Sequence, residues 1–346
     1  MPTPSDRHKH ARTRRRGPIE PMLAKPVGDL PPGRPGTWCY EPKLDGFRAI
    51  ARVDRDRGVH LQSRNGARFN EIFPEAAWAA YDMVAAGTTL DGEIVRWSGG
   101  RLDFSALHRR NIAGRRRAAA MARTEPVHFA VFDVLTLGGR DVTGLPLCER
   151  RAMLEELFET IPAAGVLALG MHTTDEAEAR TWYETMHVAG VEGLVIKAAR
   201  STYDCGARTW LKLKQRRTAD AIVGGYIGHL RRPSGLLLGR YDPTGRLRVV
   251  GRTTPLTAQA AAELAPLLTP AVGEHPWPAT LPPGWASSSY GQRDPITYTR
   301  VQPDLVVEIL VDMATDAGRH RHHCRYLRPR TDLDPAHVIE QREPAA

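Results

Sequence analysis

Hydrophobic and polar positions divide the chain into two stretches of different rhythm. In the first, alternation at Arg48–Val53 and Val59–Ser63 predicts half-buried strands. Apolar runs at Leu90–Val95, Phe129–Leu135 and Val191–Lys197, and the short run Trp38–Glu41, predict further strands. Two segments switch to helical period. Glu149–Glu159 puts Met153, Leu154, Leu157 and Phe158 on one face. Thr173 to Ala189 opens with the capping-box spacing Thr173-x-x-Glu176 and stops before Gly190. Pro18 to Gly36, rich in proline and glycine, is expected to be an irregular lead-in.

Past Gln215 the strands become short and are punctuated by glycine and proline. They fall at Ala221–Tyr226, Leu236–Tyr241, Leu247–Val250 and Leu305–Leu310, with one helical stretch, Ala258–Leu268. Such spacing fits a small β-barrel. A domain boundary is expected between residues 214 and 219. The chain has 346 residues, enough for two domains with cores of their own.

Composition narrows the class. Hydrophobic residues at 42% and charged residues at 25% describe a globular chain. No apolar run approaches the roughly 18 residues that span a membrane, so no membrane contact is expected. The basic N-terminus is followed by no apolar stretch, so a cytoplasmic protein is expected rather than a secreted one. Cys39, Cys148, Cys205 and Cys324 are far apart, which argues against a zinc knuckle and a disulfide framework and points to free thiols.

The net charge of +9 is unevenly spread. Arg7, Lys9, Arg12, Arg14, Arg15 and Arg16 face a single acid, Asp6, in residues 1–17. Such a tail is expected to be disordered, either a solvated extension or a nonspecific hold on nucleic acid. A second basic stretch holds Arg109, Arg110, Arg115, Arg116, Arg117 and Arg123 without an acid. It reads equally as an exposed helix and loop or as a surface that tracks phosphates.

The sharpest chemical signal is Lys43-Leu-Asp45-Gly46-Phe-Arg48, a lysine at a strand end before a glycine turn. A deprotonated lysine amine can attack phosphorus and form a covalent intermediate. Asp45 and Arg48 lie close enough in sequence to orient the amine and a phosphate. Ser63-Arg64-Asn65-Gly66 is by itself a turn. Asp91-Gly92-Glu93 places carboxylates at the head of a strand, within reach of a ribose hydroxyl or a metal ion. Phe132 is a core residue by default, yet a phenyl ring at a pocket mouth stacks on purines. Glu192 is an acid in an apolar strand and needs a cationic partner. On an ideal strand Glu192 and Lys197 point to opposite faces, so Lys197 carries less weight unless Gly193 marks a bulge. In Trp210-Leu-Lys212-Leu-Lys214 the two lysines share one face. A polyanion between them or the protection of an edge strand would each account for that.

These motifs, in this order, resemble those of the covalent nucleotidyltransferases, which comprise ATP-dependent DNA ligases, RNA ligases and mRNA capping enzymes. The ending Val-Ile-Lys197, a following barrel and the compact length resemble the short C-type bacterial DNA ligases in particular. Val306-Val-Glu308 to Arg330 is similar to the C-terminal motif of that group, although Leu333 follows Asp332 where the wider superfamily has lysine. The resemblance implies an α+β fold: a nucleotidyltransferase domain of antiparallel sheets flanked by helices at 18–215, then an OB-fold barrel at 216–335. Residues 1–17 and 336–346 would be tails.

It further implies an enzyme that seals nicks in double-stranded DNA during repair. ATP is the co-substrate, AMP is carried on Lys43, and Mg²⁺ (or Mn²⁺) is held at Glu192. Lys43, Asp45, Lys212 and Lys214 would be catalytic. Glu41 would lie near the base, Phe132 and Val195 would sandwich adenine, and Glu93 would contact the ribose. Arg48 and Arg64 would hold phosphates or the nick end. Arg325, Arg328 and Arg330 would help only if the second domain swings over ATP. A monomer at the nucleoid is expected. The rival expectations are an RNA ligase, a capping-type enzyme, and a non-catalytic nick-binding protein.

Overall fold

The computed structural model describes residues 17–339 apart from 57, 284, 287–293, 313, 314 and 317. The basic tail of residues 1–16 lies outside the described residues. Among the described residues no helix is long and apolar enough to cross a membrane.

Two sheets from the first 214 residues face each other across a cleft. The larger holds Leu167–Leu169, His128–Leu137, Thr88–Val95, Phe47–Val53 and Val59–Ser63 in that order, with Arg140–Asp141 paired to His128–Leu137. Its inner pairings are antiparallel, while Leu167–Leu169 runs parallel to its neighbour. The outer face is covered by the helices Pro74–Met83, Phe104–Ile112 and Leu147–Glu159. Phe73, Leu90, Phe129, Val131, Val134 and Leu154 pack the main core between sheet and helices. The basic stretch forms the helices Phe104–Ile112 and Arg115–Thr124. Arg110 is buried on Glu75, whereas Arg109, Arg115, Arg116 and Arg117 are exposed.

The smaller sheet is ordered Ala24–Val27, Trp210–Lys214, Gly193–Ala198, Trp38–Pro42. Ala24–Val27 corrects the expectation of an irregular lead-in. It runs parallel to Trp210–Lys214 and includes Pro26, which an edge strand accepts because its missing N–H faces no partner. As a result Trp210–Lys214 is an interior strand, and protection of a free edge no longer explains its lysines.

The helix expected from Thr173 is Glu176–Thr185, and its cap is Asp175, whose side chain accepts from the Ala177 N–H. Thr173 is instead drawn into a bridge with Tyr40, its N–H on the Tyr40 carbonyl at 3.0 Å. A 3₁₀ turn at Met186–Ala189 then ends at Gly190. The Leu147–Glu159 helix starts two residues before the apolar pattern placed it.

Beyond residue 215 a six-stranded antiparallel sheet is ordered Leu247–Arg252, Arg232–Tyr241, Arg216–His229, Val306–Asp312, Arg325–Pro329, with Thr299–Arg300 also on Arg216–His229. Its two ends meet where Thr253 and Cys324 form a parallel bridge, with the Cys324 N–H on the Arg252 carbonyl at 2.9 Å. Val223, Leu236, Leu238, Val250, Val307 and Ile309 fill the enclosed core. The helix there spans Ala258–Leu264 and tightens to 3₁₀ at Ala265–Leu267, because Pro266 has no N–H to continue it. The expected tail from 336 is ordered as far as Ile339. Asp334 caps a short turn at Ala336, Val338 is buried, and Ile339 bridges Tyr241. Residues 340–346 lie outside the described residues.

Candidate active site

Lys43 follows the last residue of the Trp38–Pro42 strand. Its N–H donates to the Gly193 carbonyl at 2.8 Å, and its carbonyl accepts from the Glu192 N–H at 2.9 Å. The backbone therefore clamps Lys43 beside Glu192, and the Lys43 ammonium is bonded to the Glu192 carboxylate. Gly193 makes this possible. Its φ of +137° is a conformation side chains rarely adopt, and a Cβ there would lie 2.0 Å from the Leu213 carbonyl oxygen. The irregular step turns Glu192 toward Lys43, while Val195 lines the cavity and Lys197, two residues on, is buried behind it. Gly46 plays a steric part in the same motif, since a Cβ on it would meet the Ile94 carbonyl oxygen at 2.2 Å.

Lys43 opens on a cavity of about 230 Å³ between the two sheets. Of the residues singled out from sequence, Glu41, Lys43, Arg48, Arg64, Glu93, Phe132, Val195 and Lys212 line it. Pro21–Ala24, Pro42, Leu44, Arg208 and Trp210 complete the wall. Arg48 makes a two-pronged contact with Asp91, at 2.5 and 2.6 Å, and its guanidinium lies 4.5 Å from the Phe132 ring centre. The Tyr203 hydroxyl donates to the same Asp91 at 2.5 Å. Arg48 is thus a fixed element of the wall. Arg64 follows the end of the Val59–Ser63 strand, in a turn closed by the Gly66 N–H on the Ser63 carbonyl at 2.9 Å.

Glu41 is paired with Lys197 at 2.7 Å, both almost sealed from solvent. The Lys197 ammonium lies 4.4 Å from the Phe132 ring centre and 4.1 Å from that of Trp210. Gly193 does break the ideal alternation, the condition under which Lys197 gains weight beside the site. Glycine after an acid in an apolar strand was the available signal. Asp133, beside Phe132, belongs elsewhere: it forms a fully buried pair with Arg150 at 2.8 Å.

Electrostatics set the protonation states. Burial alone would lower the Lys43 ammonium, but the Glu192 carboxylate outweighs it and holds Lys43 above its ordinary value. Burial works against the Glu192 carboxylate too, yet Lys43 and Lys214 keep it below the usual range. Burial pushes the Glu93 carboxyl up to about 7, against the pull of Arg48 and Lys43. Burial and the neighbouring Lys43 and Lys214 hold Lys212 below its usual value.

Lys214 stands 3.6 Å from Glu192 and 3.0 Å from Asp312 of the following sheet. Asp45 does not line the cavity and is bonded to Arg321, whose guanidinium lies 3.7 Å from the Phe104 ring centre. Arg325, Arg328 and Arg330 are not brought to the cavity. Arg325 is exposed, Arg328 is on Glu308 at 2.6 Å, and Arg330 is on Asp332 and Asp220 at 2.8 and 3.1 Å. The basic cluster from Arg319 to Arg330 was visible in the sequence. Only the fold selects Arg321 from it.

As for a metal ion, no group of three or more ligating side chains occurs among the described residues. Glu192 is a hard oxygen donor at a nearly sealed position that already gathers two ammonium groups. That fits a divalent cation whose shell is completed by substrate phosphates.

The profile of the ATP dependent DNA ligase domain matches residues 21–214. The chain is 36% identical to DNA ligase C of Mycobacterium tuberculosis, covering 92% of this chain and 91% of that protein. It is 34% identical to DNA ligase C2 of Mycolicibacterium smegmatis, with 92% of each covered. The multifunctional non-homologous end joining DNA repair protein LigD of M. tuberculosis is 31% identical over 93% of this chain and 40% of its own length. A Lig E DNA ligase structure shares the fold, with a TM-score of 0.54 at 20% identity over 89% of this chain and 98% of that one. A profile spanning more than half the chain, and relatives matched almost end to end, establish that this protein belongs to the ATP-dependent DNA ligases.

Proposed function

We propose that the chain seals 5′-phosphate/3′-hydroxyl nicks in duplex DNA by three transfers at the Lys43 cavity. The observation that carries this reading is Lys43 itself, clamped beside Glu192 at a cavity lined by Phe132 and Val195. First the Lys43 amine, having given up a proton, attacks the α-phosphorus of ATP. An N–P bond forms, and pyrophosphate leaves with the electrons of the broken P–O bond. AMP then passes from Lys43 to an oxygen of the 5′-phosphate at the nick. Finally the 3′-hydroxyl attacks that phosphate and AMP departs.

Each step gathers negative charge around phosphorus, so positioning and cations dominate. Lys212 and Lys214 are the cations for the AMP phosphate, Glu93 contacts the ribose, and Phe132 and Val195 sandwich adenine with Glu41 at its edge. Arg64 faces the phosphates or the nick end. Asp45, held by Arg321, positions the lysine turn. Glu192 with the substrate phosphates would hold a Mg²⁺ or Mn²⁺ ion, which neutralises phosphate charge and favours the neutral amine.

The closed six-stranded sheet is read as an OB-fold barrel. Short antiparallel strands closed at the Thr253–Cys324 bridge support that assignment. We read residues 18–215 as the nucleotidyltransferase domain and 216–335 as the barrel. The exposed Arg109, Arg115, Arg116 and Arg117 supply phosphate contacts to the duplex. The likeness to LigD, named for DNA repair, supports repair as the setting, and a monomer at the nucleoid is part of the same reading.

Incubation with radioactive ATP and Mg²⁺ tests the reading. The chain becomes labelled, Lys43→Ala does not, and chase with nicked DNA releases the label as AMP while the nick closes. Label that persists in Lys43→Ala overturns it. Label from GTP alone would mark a capping-type enzyme, and closure of RNA but not DNA nicks an RNA ligase.

A further inference from the structure

Among the cations around Lys43, one is held from outside the nucleotide cavity. Lys214 is the last residue of its strand, and Asp312 is the last residue of Val306–Asp312. Asp312 is the register partner of Arg216, only two residues after Lys214, so the Lys214–Asp312 pair straddles the junction of the two units. The pair is close, at 3.0 Å, while Lys214 stands farther from Glu192, at 3.6 Å. The same Asp312 oxygen accepts from His322 at 2.8 Å. Burial opposes charge on Asp312, but His322 and Lys214 together hold it well below the usual carboxylate range. Asp312 therefore stays an anion, and one of its oxygens engages the Lys214 ammonium.

We propose that Asp312 is a positioning residue that competes with the nucleotide phosphate for Lys214. This rests on the reading of Lys214 as a ligand of the AMP phosphate. Asp312 holds the Lys214 ammonium at the junction, so a phosphate oxygen that takes Lys214 must take it from Asp312. His322 remains on Asp312 after the exchange, so the carboxylate is not left buried and unpaired. Asp312 thereby sets nucleotide affinity without touching nucleotide, and it ties occupancy of the cavity to the junction between the two units.

The test is self-adenylation of the full chain over a range of ATP concentrations. Asp312→Asn keeps the shape and the hydrogen-bonding capacity and removes the charge. KM for ATP is expected to fall at least about fivefold, the lower end of ordinary coupling between sites. kcat is expected to stay within about twofold, because the chemical step is not Asp312's. Asp312→Glu, which keeps the charge and guards against a folding artefact, is expected to return KM toward that of the wild type. In a Lys214→Ala background, Asp312→Asn should change nothing. A KM that is unchanged or raised in Asp312→Asn overturns the proposal, and so does an effect that persists without Lys214. If Lys214→Ala alone has the wild-type KM, the phosphate role of Lys214 fails first and this inference fails with it.

Discussion

Glu93 shows how much a single residue's surroundings decide. Its carboxyl is pushed up to about 7 by burial, against Arg48 and Lys43 and with help from Asp45 and Asp91. In the unfolded chain the group titrates near 4.5, so between pH 4.5 and 7 the folded state binds the additional proton. Stability from this group is then present at low pH and is lost as pH rises through that window. Glu93→Gln removes the dependence. In thermal unfolding of the nucleotide-free protein, the variant should gain on the wild type as pH increases from about 5 to 8. Parallel melting curves across that range would contradict the assignment. The presence of Glu93 could be read from its place in Asp91-Gly92-Glu93, but its protonation could not. The pull of Arg48, Lys43, Asp45 and Asp91 depends on distances that the fold alone creates. Lys43 was legible for the opposite reason, since its signal lies within six consecutive residues.

Elements were legible where their pattern was local and obscured where a distant partner decided. The Phe47–Val53 and Val59–Ser63 strands follow from alternation almost to the residue. Ala24–Val27 did not, because four residues beside prolines become a strand only when Trp210–Lys214 is there to pair with them. Gly193 shows the same dependence in the site, and a change there tests it. Gly193→Ala forces a Cβ onto the Leu213 carbonyl at a backbone angle that alanine avoids. A loss of about 1–3 kcal/mol in denaturant unfolding is expected, together with poorer labelling of Lys43 as Glu192 shifts. A variant with native stability and full labelling would refute that role. Asp133 serves as a contrast. It sits beside Phe132, which the family resemblance singles out, yet its partner is the buried Arg150. Asp133→Ala should cost about 3–5 kcal/mol by stranding that guanidinium, with the folded fraction still able to take label. Full stability with loss of labelling would make Asp133 a site residue instead.

At the scale of the whole molecule, the two units meet through charges that the sequence could not pair. Asp45 and Arg321 are 276 positions apart, and the sequence reading set Asp45 beside the Lys43 amine rather than opposite an arginine of the second unit. Arg325, Arg328 and Arg330 were the natural candidates from the C-terminal pattern, but register places Arg328 opposite Glu308 and so commits it to the barrel's own surface. Arg321 is different. It is nearly buried, bonded to Asp45 and seated on the Phe104 ring, so its loss removes both a charge pair and a packing contact between the units. Surface ion pairs usually contribute little, but removing one partner of a buried pair leaves the other charge uncompensated. Arg321→Ala should therefore favour separated units without unfolding either. A compact chain of this length has a radius of gyration of roughly 20 Å. In small-angle scattering of nucleotide-free protein the wild type should lie near that value and Arg321→Ala above it. Raising the salt should move the wild type little, since screening is weak for buried pairs. Superimposable curves for the two proteins would mean that the closed arrangement is held by something other than the Asp45–Arg321 contact.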